Sequence, residues 1–283
     1  MKLVHISDTH VGKGECQSRL ARLVDHLLSS VLGAPEDFVV LHTGDVIDSA
    51  EPAYRAAGAA QLARLSDAGY RVFLCPGNHD YGDAMSIAPD AAADFQRDFA
   101  PWLFHGQAAE FPVRHQLDAE TQLLVLDSNA AELSWRERWF AEGHLGEEQL
   151  AVLDGWLPDA RLPDQGKTVI VALHHHPFYY GYRVAPDVDD RRLLFHLLAR
   201  ATRPFRRLKD AWSLCRVLQD RADILLYGHM HYGLDCSGDS RRYGIPLALD
   251  GGSSTDVDDE SGCLRYRVVD TRTLTVVVGR VRL

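Results

Sequence analysis

The sequence predicts an α/β fold built as a single domain, on three observations. Short apolar runs alternate with stretches whose apolar residues recur at helical spacing, the pattern of strands joined by helices. The chain has 283 residues, 46% of them hydrophobic and 25% charged, enough to bury one large core. No repeat, low-complexity tract or linker divides it, and the Pro/Gly/Asp-rich stretches at 158–166 and 250–262 are predicted loops.

The first predicted strand is KLVHIS (2–7). Leu20, Leu23, Val24, Leu27, Leu28 and Val31 then share one helix face. DFVVLHT (37–43) is a second strand, and a second helix runs over 52–69, where Gly69 is placed to end it. YRVFLC (70–75), TQLLVLDS (121–128), KTVIVAL (167–173) and ADILLYG (222–228) are further buried strands. Near the C-terminus, GIPLALDGG, CLRYRVVD and LTVVVGRVRL predict antiparallel strands, with DTRT as a turn.

The formal charge of −10 argues against a protein that holds nucleic acid on a broad basic surface. Five cysteines, odd in number and never in a C-x-x-C pair, fit a reducing compartment better than a disulfide framework. The first strand starts without an apolar leader before it, and no apolar run is long enough to span a membrane. The sequence therefore predicts a cytoplasmic protein.

The residues immediately past the strands carry the most information. Asp8-Thr9-His10 come after the first, Asp45 after the second, and Asn78-His79 after the third. His174-His175-His176 come after KTVIVAL, and His229-Met230-His231 after ADILLYG. Ligands of open α/β sheets bind beyond the carboxyl ends of the strands, so these clusters are expected to converge. Asp8 and His10 are two apart, as are His229 and His231, so in extended backbone each pair projects to one side. Glycines before Asp45, Asn78 and His229 permit tight backbone there. Neighbouring residues of an extended chain point to opposite faces, so only some of the three adjacent histidines can join the others, and spacing leaves open which.

Two aspartates, one asparagine and four histidines, with no thiolate, favour Mn, Fe, Zn or a mixed pair over Ca or Mg. Seven ligands suit two metal ions that share a bridging carboxylate, a pair roughly 3.5–4 Å apart that clamps the attacking and leaving oxygens of an in-line displacement. Two such ions outweigh two carboxylates in charge, which selects an anionic substrate such as a phosphate ester.

DTH, GDVID, GNHD, HHHP and GHMH, in that order from Lys2 to about His231, resemble the motifs of the calcineurin-like metallophosphoesterases. The resemblance implies a four-layer α/β/β/α sandwich with a dinuclear site at the C-terminal ends of the strands, holding two divalent or trivalent ions. Asp8, His10 and His231 would hold one ion, Asn78 and His229 the other, and Asp45 would bridge. The family's H-x-P pattern implies His175 as the remaining ligand, with His174 as the alternative register and His176 in a supporting or substrate-binding place. His79 would donate a proton or hydrogen bond to the leaving group, oriented by Asp48; Asp80 reads as a local backbone cap. Within the superfamily, the chain resembles the class III cyclic nucleotide phosphodiesterases and glycerophosphodiesterases. That implies a phosphodiesterase acting on a small anionic phosphoester, with a phospholipid- or nucleotide-lipid-directed phosphohydrolase as the alternative and a DNA nuclease or non-catalytic scaffold behind both.

Specificity is expected from about 178–212, a cap or insertion between the fourth and fifth motifs. It opens with the aromatic PFYYGYRV, and residues 191–209 carry seven basic residues and no acidic one. Tyr179, Arg191 and Arg192 are the substrate-binding candidates there, together with His176. The arginines would meet phosphate, and the leucines an apolar group or a membrane surface. The competing interpretation is a surface helix with solvated arginines.

Overall fold

The structure, a computed structural model, describes residues 1–82, 90–129, 142–159, 167–178, 208–258 and 261–283. Its described residues form two five-stranded sheets. In the first, β1 (Lys2–Ile6), β2 (Phe38–His42) and β3 (Arg71–Leu74) run parallel, while β9 (Cys263–Asp270) and β10 (Thr275–Arg282) extend the sheet antiparallel beyond β1. In the second, β4 (Val113–Gln116) lies antiparallel to β5 (Thr121–Val125). β5, β6 (Thr168–Ala172), β7 (Ile224–Tyr227) and β8 (Leu247–Asp250) are parallel.

The sheets pack face to face because the parallel strands of the second are apolar on both sides. Leu123, Val125, Ile170, Ala172, Ile224 and Leu226 enter the core shared with the first sheet. Their neighbours Leu124, Val169, Val171 and Leu225 point the other way, into a second core. That outer core is closed by α4 (Gly146–Trp156) and α5 (Ala211–Leu218) through Leu153, Leu214 and Leu218. The outer face of the first sheet is covered by α1 (Cys16–His26), α2 (Pro52–Asp67) and α3 (Ala91–Leu103). The result is the predicted four-layer α/β/β/α sandwich, with the helices outside.

Gly69, at φ +92°, ends α2 as predicted. The helix face that begins in α1 continues through a π-helical turn over Leu27–Val31. One expectation fails: β8 is not part of an antiparallel C-terminal sheet but pairs parallel with β7, register Leu225↔Ala248. LALD is buried at all four positions, as suits a strand covered on both faces, whereas β10 leaves most of its residues partly or fully exposed. Between β7 and β8 lie a single turn, α6 (Ser237–Ser240), and a 3₁₀ turn, which carry the chain back so that β8 starts alongside β7. No helix among the described residues is long and apolar enough to cross a membrane.

Candidate metal centre

The ends of β1, β2 and β3 from one sheet and of β6 and β7 from the other meet at one place. They do so through unusual backbone. Asp8, His10, Asp45, His229 and His231 have φ of 50°, 41°, 55°, 77° and 59°. Left-handed backbone at a non-glycine residue costs about 1–3 kcal/mol and persists only where its surroundings fix it. The paired side chains thus reach one point because alternate residues turn left-handed, not because the backbone is extended. Asp8 N donates to Gly44 O (3.0 Å) and His10 N to Asp45 O (3.0 Å), locking the two loops together. Glycine is required where backbones touch. A Cβ on Gly77 would overlap the backbone and carboxylate of Asp45, and one on Gly228 would overlap Ser7 and Asp8.

Three groups of candidate ligands result among the described residues; one is His10, Asp48 and His79, and the other two each hold a buried aspartate. Of these two, the first is Asp8, His10 and His231. His231 Nε2 lies 3.3 Å from Asp8 Oδ1 and 3.0 Å from His10 Nε2. Behind each imidazole stands a carboxylate: Asp48 Oδ1 is 3.2 Å from His10 Nδ1, and Asp256 Oδ2 is 3.2 Å from His231 Nδ1. A carboxylate at Nδ1 keeps the proton there and turns the Nε2 lone pair toward the cluster. The other oxygen of Asp8 is fixed too, since Oδ2 accepts from Ser7 Oγ at 2.5 Å and from the His229 amide at 3.1 Å.

The second cluster is Asp45, His174 and His229. His174 Nε2 lies 3.3 Å from Asp45 Oδ2, 3.1 Å from Asn78 Oδ1 and 3.2 Å from His229 Nδ1. His174 Nδ1 donates to the Thr43 carbonyl at 2.7 Å, so Nε2 carries the lone pair. Asp45 reaches both clusters, because its Oδ2 is also 3.7 Å from His10 Nε2, while its Oδ1 accepts the His79 amide at 2.9 Å.

The three adjacent histidines separate cleanly. His174 enters the cluster and His175, the residue the H-x-P pattern selects, does not. The Ser128 hydroxyl oxygen accepts the His175 amide (3.1 Å) and lies 2.8 Å from His175 Nδ1, while His175 Nε2 is buried with no hydrogen-bond partner among the described residues, its ring centroid 4.5 Å from that of His229. His176 Nδ1 accepts the Phe178 amide at 3.1 Å, and the ring is enclosed against Tyr227 rather than facing the clusters. The apolar strand end explains the register: β6 stops at Ala172, and His174 is the first of the three to face the first sheet, where it meets the Thr43 carbonyl.

His79 packs edge-on against His10, with ring centroids 4.8 Å apart. Its Nδ1 donates to the Asp48 carbonyl at 2.9 Å, so the backbone of Asp48 orients it while the carboxylate of Asp48 serves His10. The expected side-chain pairing of Asp48 with His79 is replaced by this division. Asp80 is the backbone cap that the sequence suggests: its carboxylate accepts the amides of Asp45 (2.9 Å), Ile47 (3.1 Å) and Gly77 (2.8 Å). Tyr179, Arg191, Arg192 and the stretch 179–207 of the expected cap lie outside the described residues, while 208–212 lead into α5.

Charge decides which ligands the clusters fit. Burial opposes ionisation of Asp8 and Asp45, yet the facing imidazoles, chiefly His231 and His174 respectively, hold both carboxyls below their ordinary range. Burial likewise disfavours a charged His174 or His231, but Asp45 draws the first up to about 9, and Asp8 with Asp256 draws the second up to about 11. His229 is pushed well down by burial and its histidine neighbours. At neutral pH the two buried anions are balanced by cationic His174 and His231, so positive charge is placed at two points, where a metal ion would take over from the Nε2 proton. Lone pairs from nitrogen and carboxylate oxygen converge there without thiolates, and this donor set fits two divalent ions.

A family profile described as calcineurin-like phosphoesterase matches residues 1–233. The chain belongs to the calcineurin-like phosphoesterases. As a member, it is a metal-dependent phosphoester hydrolase. It is similar to a metallophosphoesterase from Sphaerobacter thermophilus (11% identity over all of this chain and 89% of that one, TM-score 0.42). It is also similar to an archaeal phosphodiesterase (10% identity over 99% of this chain and 100% of that one, TM-score 0.42). A third similar structure is GAP50, the anchor in the inner membrane complex of Plasmodium (11% identity, 100% of this chain and 89% of that one, TM-score 0.48). No curated protein matches the sequence.

Four contributors to this phosphoesterase site escape a reading of the sequence: Ser7, Thr43, Ser128 and Asp256. Ser128 comes after β5 in LDSN, in the same strand-end position as the other motifs, and that rule could have found it. Asp256 sits in a stretch whose composition announces only a loop.

Proposed function

We propose that this phosphoesterase is a dinuclear phosphodiesterase acting on a cyclic nucleotide or a small glycerophosphodiester-like substrate. In this reading Asp8, His10 and His231 would hold one ion and Asn78, His174 and His229 the other, with Asp45 shared between them. The observation that carries it is Asp45 Oδ2, which lies within reach of His174 on one side and His10 on the other. When bound, two ions of the Mn, Fe or Zn type would supply a nucleophile at neutral pH and neutralise charge on the phosphoryl oxygens.

The protein's own groups do the rest. With Nδ1–H committed to the Asp48 carbonyl, any proton His79 gives to a departing alkoxide would come from Nε2. An alkyl phosphoester has a poor leaving group and gains most from such a donor, which supports an unactivated ester such as a cyclic nucleotide or a glycerophosphodiester as substrate. The Ser7 and Asp80 contacts hold the Asp8 carboxylate and the Asp45 backbone in place as charge moves. The stretch 178–212 is the proposed cap, with Tyr179, Arg191 and Arg192 toward the substrate, in a cytoplasmic enzyme.

Metal-free protein reloaded with Mn²⁺ tests the reading on bis(p-nitrophenyl) phosphate against p-nitrophenyl phosphate. The diester is expected to turn over with the higher kcat/KM. Preference for the monoester would refute the phosphodiesterase assignment. The seven basic residues of 191–209 favour one second reading, a phosphohydrolase of a lipid-linked substrate, and cleavage of such a lipid with neither small ester hydrolysed would select it.

A further inference from the structure

The family profile ends at residue 233, yet the loop between β8 and β9 returns to the metal centre. Residues 253–255 take up the carbonyls of Ser7, Asp8 and Thr9 one after another. Ser254 N donates to Ser7 O (2.9 Å), Ser253 Oγ to Asp8 O (2.8 Å) and Thr255 Oγ1 to Thr9 O (3.0 Å). Ser254 Oγ also accepts the Ser7 amide at 3.1 Å. Left-handed turns at Asp8 and His10 take this segment out of the β-ladder, so its carbonyls need partners elsewhere. The Ser-Ser-Thr run supplies them.

The same loop ends in Asp256, whose amide donates to Ser253 Oγ (3.1 Å) and whose carboxylate accepts from His231 Nδ1 (3.2 Å). Gly252 fits tightly beneath: a Cβ there would stand 2.8 Å from the backbone of Gly233, just past GHMH. One short loop thus grips both the DTH and the GHMH segments. An exposed carboxylate facing a histidine is often an incidental surface pair. Here the carboxylate is positioned by its own backbone, on a loop bonded to the neighbouring metal-binding residues, which an incidental pair would not need.

We propose that residues 251–256 form a strap specific to the C-terminal part of this chain, with Asp256 as the positioning residue that fixes the His231 imidazole with its Nε2 lone pair inward. The strap therefore governs occupancy of the Asp8–His10–His231 half of the centre. The inference rests on the dinuclear reading of the proposed function.

The test uses the full chain, stripped of metal and titrated with Mn²⁺, with bound equivalents counted and the electron paramagnetic resonance spectrum recorded. Wild-type protein is expected to take two equivalents and give the spectrum of an exchange-coupled pair. Asp256→Ala is expected to keep one equivalent at wild-type affinity and weaken the other about 10- to 100-fold, leaving a mononuclear six-line spectrum at low Mn²⁺. Asp256→Asn, which retains an acceptor for Nδ1–H, is expected to restore most of the loss. Circular dichroism melts accompany each variant; Asp256 is exposed on its loop, so a folded Ala variant is expected. Two wild-type-affinity equivalents in Asp256→Ala, equal weakening of both, or no rescue by Asn would each overturn the positioning role. If wild-type protein itself fails to bind two ions, the dinuclear reading falls first, and that result is visible before any variant is made.

Discussion

The two halves of the centre are built differently. In the Asp8–His10–His231 half, each imidazole is backed by a carboxylate on the opposite nitrogen, Asp48 or Asp256, and His231 stands partly in solvent. In the Asp45–His174–His229 half, His174 is backed by the Thr43 carbonyl and is fully buried, and His229 Nε2 has no hydrogen-bond partner among the described residues. A carboxylate makes its imidazole more basic than a carbonyl does. The first half is therefore adjustable from the surface, while the second is set by backbone and burial. On the dinuclear reading, substitutions at the rim are expected to tune one ion without touching the other.

Both halves depend on one shared residue. Asp45→Asn is expected to remove the shared anion, abolish the coupled pair and lower turnover by at least about 10³-fold. Metal analysis after dialysis, together with kcat, checks it; retention of two ions would mean that Asp45 does not join the halves.

His79 touches neither half as a ligand but lies against His10. His79→Ala is expected to cut turnover of a diester with a poor leaving group by about 10²–10⁴-fold while two ions remain bound. A substrate with a good leaving group should be much less affected. Equal losses on both substrates, or loss of an ion, would remove His79 from the acid's role.

A smaller effect sharpens the electrostatic contrast. Behind the first half, Asp250 ends β8 fully buried, and burial together with the Asp8 charge pushes its carboxyl up from 3.8 to about 7. Its Oδ2 has no hydrogen-bond partner among the described residues. Between these values the unfolded chain is ionised while the native one keeps the proton. The native state then binds more protons, so stability falls as pH rises from about 4 to about 7 and levels off above. Asp250→Asn retains an oxygen for the Gly252 amide and removes the ionisable group, so it should raise the melting temperature at pH 8 and change it little at pH 4. A larger gain at pH 4 would reverse the sign and refute the proton linkage.

Much of this is legible in the chain, for reasons that also mark where legibility ends. Buried parallel strands carry unbroken apolar runs, so β1, β2, β6 and β7 stand out, and with them the polar residues at their ends. β4 does not, because VRHQ is short and three of its four residues are polar. α3 is hidden although Phe95, Phe99 and Trp102 are all buried along it, because Pro101 within it reads as a break. β8 reads as a member of the wrong sheet because pairing partners are set by crossover geometry, which the four residues LALD do not encode. The site shows the same divide. Ligand types are visible as motifs, but which imidazole nitrogen is free depends on Thr43, Ser128, Asp48 and Asp256, and those come from distant parts of the chain.

The three adjacent histidines therefore give the most direct test of how the centre is built. Metal-free His174→Ala and His175→Ala would each be titrated with Mn²⁺ beside wild-type protein, counting tightly bound equivalents. His174→Ala should lose the ion of the buried half and keep the other, while His175→Ala keeps both. The opposite pattern, an ion lost with His175 and none with His174, would contradict the register.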